Sequence, residues 1–79
     1  MSNWDEAKNK SLKSERGAGF DDLLAHGKLL DVLPNLNHQG QEVWVFEYLG
    51  YAWAMIYDPS ANRHITLWPS RKLTKEYLR

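Results

Sequence analysis

One eight-residue stretch constrains the fold more than any other. Residues 51–58, Tyr-Ala-Trp-Ala-Met-Ile-Tyr-Asp, put Tyr51, Trp53, Met55 and Tyr57 on one side of an extended chain and Ala52, Ala54 and Ile56 on the other. A strand that is apolar on both sides belongs in the middle of a sheet. Residues 42–49 are rich in β-branched and aromatic side chains and predict the preceding strand, joined across a tight turn at Gly50 as a hairpin. Pro59-Ser60-Ala61-Asn62 reads as the next turn and residues 64–68 as the last strand. Residues 28–33 read as the first strand, ahead of a polar loop over 34–41.

The flanks read as helices. Residues 4–16 lack Pro and Gly, carry the favourable Glu6–Lys10 spacing, and follow Asn3 as an N-cap with Glu6 three positions on. The apolar face of this helix is thin, and Gly17 and Gly19 stop it. Phe20, Leu23 and Leu24 form an i, i+3, i+4 stripe that predicts a second helix over 20–26, with Asp21 and Asp22 in its first turn and Gly27 as its stop. Ser70 caps a third helix to Leu78, whose Leu73 and Tyr77 turn toward the body. The expected order is two N-terminal helices, a four-stranded antiparallel meander and a short C-terminal helix. With the helices segregated to one side of the sheet, this is an α+β fold in a single domain over residues 1–79.

At 79 residues without cysteine, no disulfide or thiolate-bound metal supports the core. Four Trp, four Tyr and two Phe supply much of it instead, and so small a core readily leaves an apolar face for a partner. The lack of cysteine fits a cytoplasmic protein. The polar start, Met1-Ser2-Asn3-Trp4-Asp5-Glu6, has no apolar region of a signal peptide, and no apolar run is long enough to span a membrane. Net charge is zero, but it is unevenly spread. Residues 63–79 set Arg63, Arg71, Lys72, Lys75 and Arg79 against Glu76, whereas residues 21–62 set Lys28 against Asp21, Asp22, Asp31, Glu42, Glu47 and Asp58.

Most catalytic signatures are missing. His26, His38 and His64 have no metal-binding spacing, so no metal or other cofactor is expected, and there is no phosphate loop, dinucleotide fingerprint or nucleophile elbow. What remains is a set of cations and histidines: Lys8, Arg16, His38, Arg63, His64, Arg71 and Lys72. RNA cleavage requires no metal. A base activates the 2′-hydroxyl, an acid protonates the leaving 5′-oxygen, and a cation holds the charge at phosphorus. Histidine suits the first two tasks and arginine the third. Each residue also has a plainer reading: Lys8 as a solvated charge, Arg16 serving a helix C-terminus, His38 as a surface residue of a polar loop, and His64 as a packed or exposed structural residue at a strand start. Arg71 and Lys72 are less ordinary, because the first turn of a helix disfavours cations.

Trp4-Asp5-Glu6-Ala7-Lys8-Asn9 followed by Arg16-Gly17-Ala18-Gly19-Phe20 resembles the N-terminal signature of BrnT-like toxins. The close, Leu67-Trp68-Pro69-Ser70-Arg71-Lys72-Leu73-Thr74-Lys75-Glu76-Tyr77, is similar to the last strand and helix start of that family. The resemblance implies a RelE-like fold and a metal-independent ribonuclease that halts translation as the toxin of a bacterial type II toxin–antitoxin system. It also implies a cognate DNA-binding antitoxin of the ribbon–helix–helix kind, with assembly as a homodimer or a toxin–antitoxin hetero-oligomer left open. By residue matching, Lys8 and Arg71 take roles in RNA binding and cleavage, as does Arg16, which stands where the family has a His. On that basis Arg71, Arg16, His64 and His38 are the expected catalytic residues, and Lys8, Lys72 and Arg63 the expected phosphate contacts. The competing expectation is a non-catalytic interaction module that docks a partner through an aromatic face of Trp44, Trp53, Tyr57 and Trp68.

Overall fold

A computed structural model describes residues 3–78; Met1, Ser2 and Arg79, the last of which belongs to the C-terminal cation cluster, lie outside the described residues. The chain runs α1 (Glu6–Arg16), α2 (Phe20–His26), β1 (Lys28–Pro34), β2 (Glu42–Tyr48), β3 (Tyr51–Asp58), β4 (Arg63–Pro69) and α3 (Arg71–Tyr77). The strands form one antiparallel sheet in sequence order, so the α+β meander and its helices follow the expected plan. β3 lies inside the sheet, with residues 52–56 almost wholly buried. The β2–β3 turn takes in Leu49, expected in the strand, as well as Gly50: both have positive φ, 53° and 78°, as a two-residue turn between twisted strands requires.

Two bulges decide which side chains share a face. In β1 the pairing steps from Leu29↔Phe46 to Asp31↔Val45, so Leu30 is the extra residue. In β4 it steps from Thr66↔Ile56 to His64↔Tyr57, so Ile65 is the extra residue. Straight alternation would put His64 with Thr66 and Trp68. The bulge turns it instead onto the face of Leu67, Met55 and Tyr57.

That face carries the main core. Phe46, Trp53, Met55 and Leu67 pack with Leu12 of α1, Ala18 of the connector, and Phe20 and Leu23 of α2. The other face is smaller and belongs to α3, so the helices are not all on one side as expected. Its row of cross-strand neighbours is Asp31, Val45, Ala54 and Trp68. Tyr77 of α3 donates its hydroxyl to Asp31 at 2.7 Å, and Val45, Ala52 and Ala54 are buried there, apart from the main core. The alanines let a helix approach β3 closely, a consequence of small side chains that the strand's apolar pattern alone does not convey.

The N-terminal start also differs. The cap of α1 is Asp5, whose carboxylate accepts from the N–H groups of Ala7 and Lys8. Asn3 is held elsewhere, its carbonyl accepting from His64 N–H at 2.8 Å. The thin apolar face of α1 is completed by a polar side chain. Asn9 is 4 % exposed; its Oδ1 accepts from Phe20 N–H at 2.7 Å and its Nδ2 donates to Asp21 at 3.1 Å. This amide ties the first two helices together from the inside, beside the exposed Lys13–Asp21 ion pair.

Candidate nucleic-acid interface

The junction of β4 and α3 is built by short-range hydrogen bonding. β4 ends at Pro69, and Ser70 caps α3 by accepting from Leu73 N–H at 3.1 Å. Ser70 N–H donates to the Ala52 carbonyl at 2.8 Å. Thr74, one turn later, accepts from Ala52 N–H at 2.9 Å and donates to the Ser70 carbonyl at 2.7 Å. Both backbone groups of Ala52 are thus bound to the junction. Sequence reasoning missed Thr74 and its role here; the Ser70–Thr74 spacing of four, one helical turn, is the signal that was present.

Arg71 and Lys72 project from this fixed corner. Both are exposed, and among the described residues the single ion pair is Lys13 with Asp21 at 2.8 Å, so neither cation has a carboxylate partner. The hydrogen bond to Asp21 raises the Lys13 pKa and the same contact lowers that of Asp21. Arg16 lies close by. Its Nη1 donates to the Leu67 carbonyl on the outer edge of β4 at 2.6 Å, about 7 Å along the strand from Pro69. It does not serve its own helix C-terminus, where Gly17 in the left-handed region (φ 90°) makes the cap.

The other expected residues are not gathered here. Lys8 is exposed on α1, about 12 Å from Arg16 along the helix. Arg63 begins β4, and six strand steps of about 3.3 Å separate it from Pro69, roughly 20 Å in all. His38 is at that same far end: the β1–β2 loop opens beside the β3–β4 turn, and His38 contributes to lowering the pKa of Asp58, chiefly set by the Ser60 hydroxyl. A hollow of 420 Å³ at this end is lined by Val32, Leu33, Pro34, Gly40, Gln41, Glu42 and Pro59, with no cation among them.

His64 is inside. It is 6 % exposed, with the rings of Tyr57, Trp44, Trp4 and Phe20 at centroid distances of 4.9 to 6.1 Å. Its Nδ1 has no hydrogen-bond partner among the described residues. Burial pushes its pKa below the ordinary imidazole value, so the ring is neutral at pH 7 and walled off from the junction. The β4 bulge, which no sequence pattern announces, is what put it there.

The aromatic face proposed for docking divides likewise. Trp44, Trp53 and Tyr57 lie under the first two helices, whereas Trp68 is on the opposite side of the sheet. Among the described residues no group of His, Asp and Glu side chains is arranged to hold a metal ion, and no helix is long and apolar enough to cross a membrane. Set against known protein families, curated proteins and solved structures, the chain matches none.

Proposed function

We propose that this chain is the toxin of a bacterial type II toxin–antitoxin pair and acts on RNA without a metal, through the β4–α3 junction. The observation that carries the reading is the pair of exposed cations, Arg71 and Lys72, with no carboxylate partner among the described residues and set on a corner fixed by Ala52 and Thr74. A cation on such a corner meets a phosphate with its backbone already ordered, so only the side chain's own freedom is lost on binding. Arg16, anchored to the Leu67 carbonyl by one N–H of its fork, keeps the other donors for an anion at the β4 edge. The similarity to BrnT-like toxins supports the reading from the sequence side, and the order of two helices, four antiparallel strands and a short helix is compatible with it. On this reading the protein works in the cytoplasm beside a DNA-binding antitoxin.

The chemistry available at the junction is electrostatic. The RNA brings its own nucleophile: the 2′-oxygen attacks phosphorus, the 5′-oxygen leaves, and a cyclic phosphate remains. Arg71 and Arg16 suit the charge that accumulates on the phosphoryl oxygens. General acid–base help contributes roughly 10²- to 10⁴-fold, and neither His38 nor His64 stands near Arg71. Slow cleavage with comparatively firm binding follows.

Inducing the wild-type chain without a partner arrests growth, and Arg71→Ala, exposed and therefore still folded, abolishes the arrest. Purified protein incubated with total RNA, with and without chelator, reads cleavage directly. Equal toxicity of the two chains removes Arg71 from the mechanism. Intact RNA at high protein concentration favours a second reading, a toxin-like domain that binds a partner without cutting, for which the scattered histidines speak.

A further inference from the structure

Trp68 differs from the other three tryptophans. Trp53 is buried in the core, Trp4 and Trp44 are half-buried against it, and Trp68 is 37 % exposed on an edge strand. Its cross-strand neighbour is Ala54, whose side chain is a single methyl group. Arg71 and Lys72 follow three and four residues later around the Ser70 corner, so their Cα atoms lie within at most about 11 and 14 Å of its own. The nearest carboxylate in its row, Asp31, is three strands away, about 14 Å, and is engaged by Tyr77. Along its cross-strand row the ring has no carboxylate neighbour nearer than Asp31, and along the chain the cations Arg71 and Lys72 come before the carboxylate Glu76.

We infer that Trp68 is a stacking platform for a base of single-stranded RNA whose phosphates lie on Arg71 and Lys72. The inference rests on the RNA reading above and names its substrate class. A polyanion fits the unpaired cations, and the indole adds a preference that cations alone lack. In a duplex each base face is already stacked on its neighbour, so a protein ring gains nothing from it. An unpaired base is free to lie on the indole. Stacking is tolerant of base identity, because every base has a π-face. The chain accordingly selects for strandedness more than for sequence at this position.

The test uses the full chain and fluorescence anisotropy of a labelled oligoadenylate, the same strand in duplex, and its DNA counterpart, over about 50 to 200 mM salt. The expected result is tighter binding of the single strands than of the duplex. Trp68→Ala weakens single-strand binding by roughly 5- to 100-fold, in line with loss of one stacked base. It leaves the salt dependence unchanged, since stacking releases no counterions, and Trp68→Phe restores most of the affinity. The double variant Arg71→Ala/Lys72→Ala instead flattens the slope of log K against log salt by about 1.4, two phosphate contacts' worth. Circular dichroism melts establish that each variant is folded. Unchanged affinity in Trp68→Ala, or equal binding of duplex and single strand, overturns the stacking role while the RNA reading stands on the arginine–lysine effect. Absence of RNA binding by the wild-type chain overturns both, and leaves the exposed indole to a protein partner.

Discussion

Replacing Asn9 by Ala tests whether one buried amide holds the two N-terminal helices together. Asn9 is 4 % exposed on an otherwise polar helix and makes two contacts across the α1–α2 connector. Truncation leaves the Phe20 N–H buried without an acceptor, which costs about 1–3 kcal/mol. It also removes the hydrogen bond to Asp21, which is partly exposed and adds about 1 kcal/mol at most. The sum is roughly 2–4 kcal/mol, a large share of the roughly 4–12 kcal/mol available to a chain of this length. In a domain of this size each kcal/mol moves Tm by about 4–8 °C, so the melting temperature read by circular dichroism drops by roughly 8–32 °C. Gly19 belongs to the same joint: a Cβ there collides with Asn9 Oδ1, so Gly19→Ala is destabilising as well.

Asn9→Asp separates the geometric account from a general intolerance of change. The new carboxyl keeps an acceptor for Phe20 N–H but faces the Asp21 carboxylate at hydrogen-bond range. Two carboxylates that close raise the pKa of one of them. The protonated form is then favoured in the folded chain, so the variant's deficit relative to wild type is full at neutral pH and shrinks as pH falls through that raised value. An Asn9→Ala melt within 3 °C of wild type, a difference of less than about 1 kcal/mol, refutes the joint. A pH-independent deficit in Asn9→Asp refutes the pairing with Asp21.

The hairpin turn holds Leu49 at φ 53°, so Leu49→Asn, which tolerates that region before a glycine, stabilises the chain by about 1 kcal/mol and raises Tm by about 4–8 °C. Burial lowers the His64 pKa, so the stability this neutral ring contributes is full above its unfolded value near 6.5 and is lost as pH falls below it toward the folded value; urea melts of His64→Leu lack that component of acid sensitivity. Arg16→Ala frees the Leu67 carbonyl and lowers Tm by about 4–8 °C, a loss near 1 kcal/mol, whereas Arg71→Ala leaves Tm unchanged; the same two variants compared in RNA binding tell structural anchoring from phosphate contact.

The architecture was legible because its signals are local. The two-sided apolar pattern of residues 51–58 marks an interior strand, and Gly17, Gly27, Gly50 and Ser70 mark ends that the structure places within a residue or two. What was not legible depends on register. Nothing in Arg-His-Ile-Thr-Leu-Trp says that Ile65 is an extra residue, yet that bulge converts His64 from a surface candidate into a core side chain. The same limit applies to Trp68, grouped by composition with rings that lie across the sheet from it. Asn9 and Thr74 were passed over because polar residues on helices are ordinarily solvated. Only the tertiary partners, twelve and twenty-two residues away, give them meaning.

The sheet's edges narrow how a macromolecular partner meets this domain. On β4 the Asn3 carbonyl occupies His64 N–H, Arg16 occupies the Leu67 carbonyl, and Pro69 has no N–H to offer. On β1 the two-residue hairpin sets the alternation of the ladder so that Val32 N–H points away from β2, and the Asp31 carboxylate takes it at 2.8 Å. Both edges therefore carry blocks against an added strand, of the kind that prevents edge-to-edge pairing. A partner accordingly engages side chains projecting from the sheet and from α3 more readily than it extends the ladder. Among those, Trp68, Arg71 and Lys72 come from one seven-residue stretch fixed to β3 through Ala52, and Arg16 reaches it from α1. On the toxin reading proposed above, an antitoxin that covers this surface competes with RNA for the same side chains. Saturating RNA weakens the antitoxin's hold in proportion to RNA occupancy, while an antitoxin seated at the His38 end leaves RNA affinity untouched.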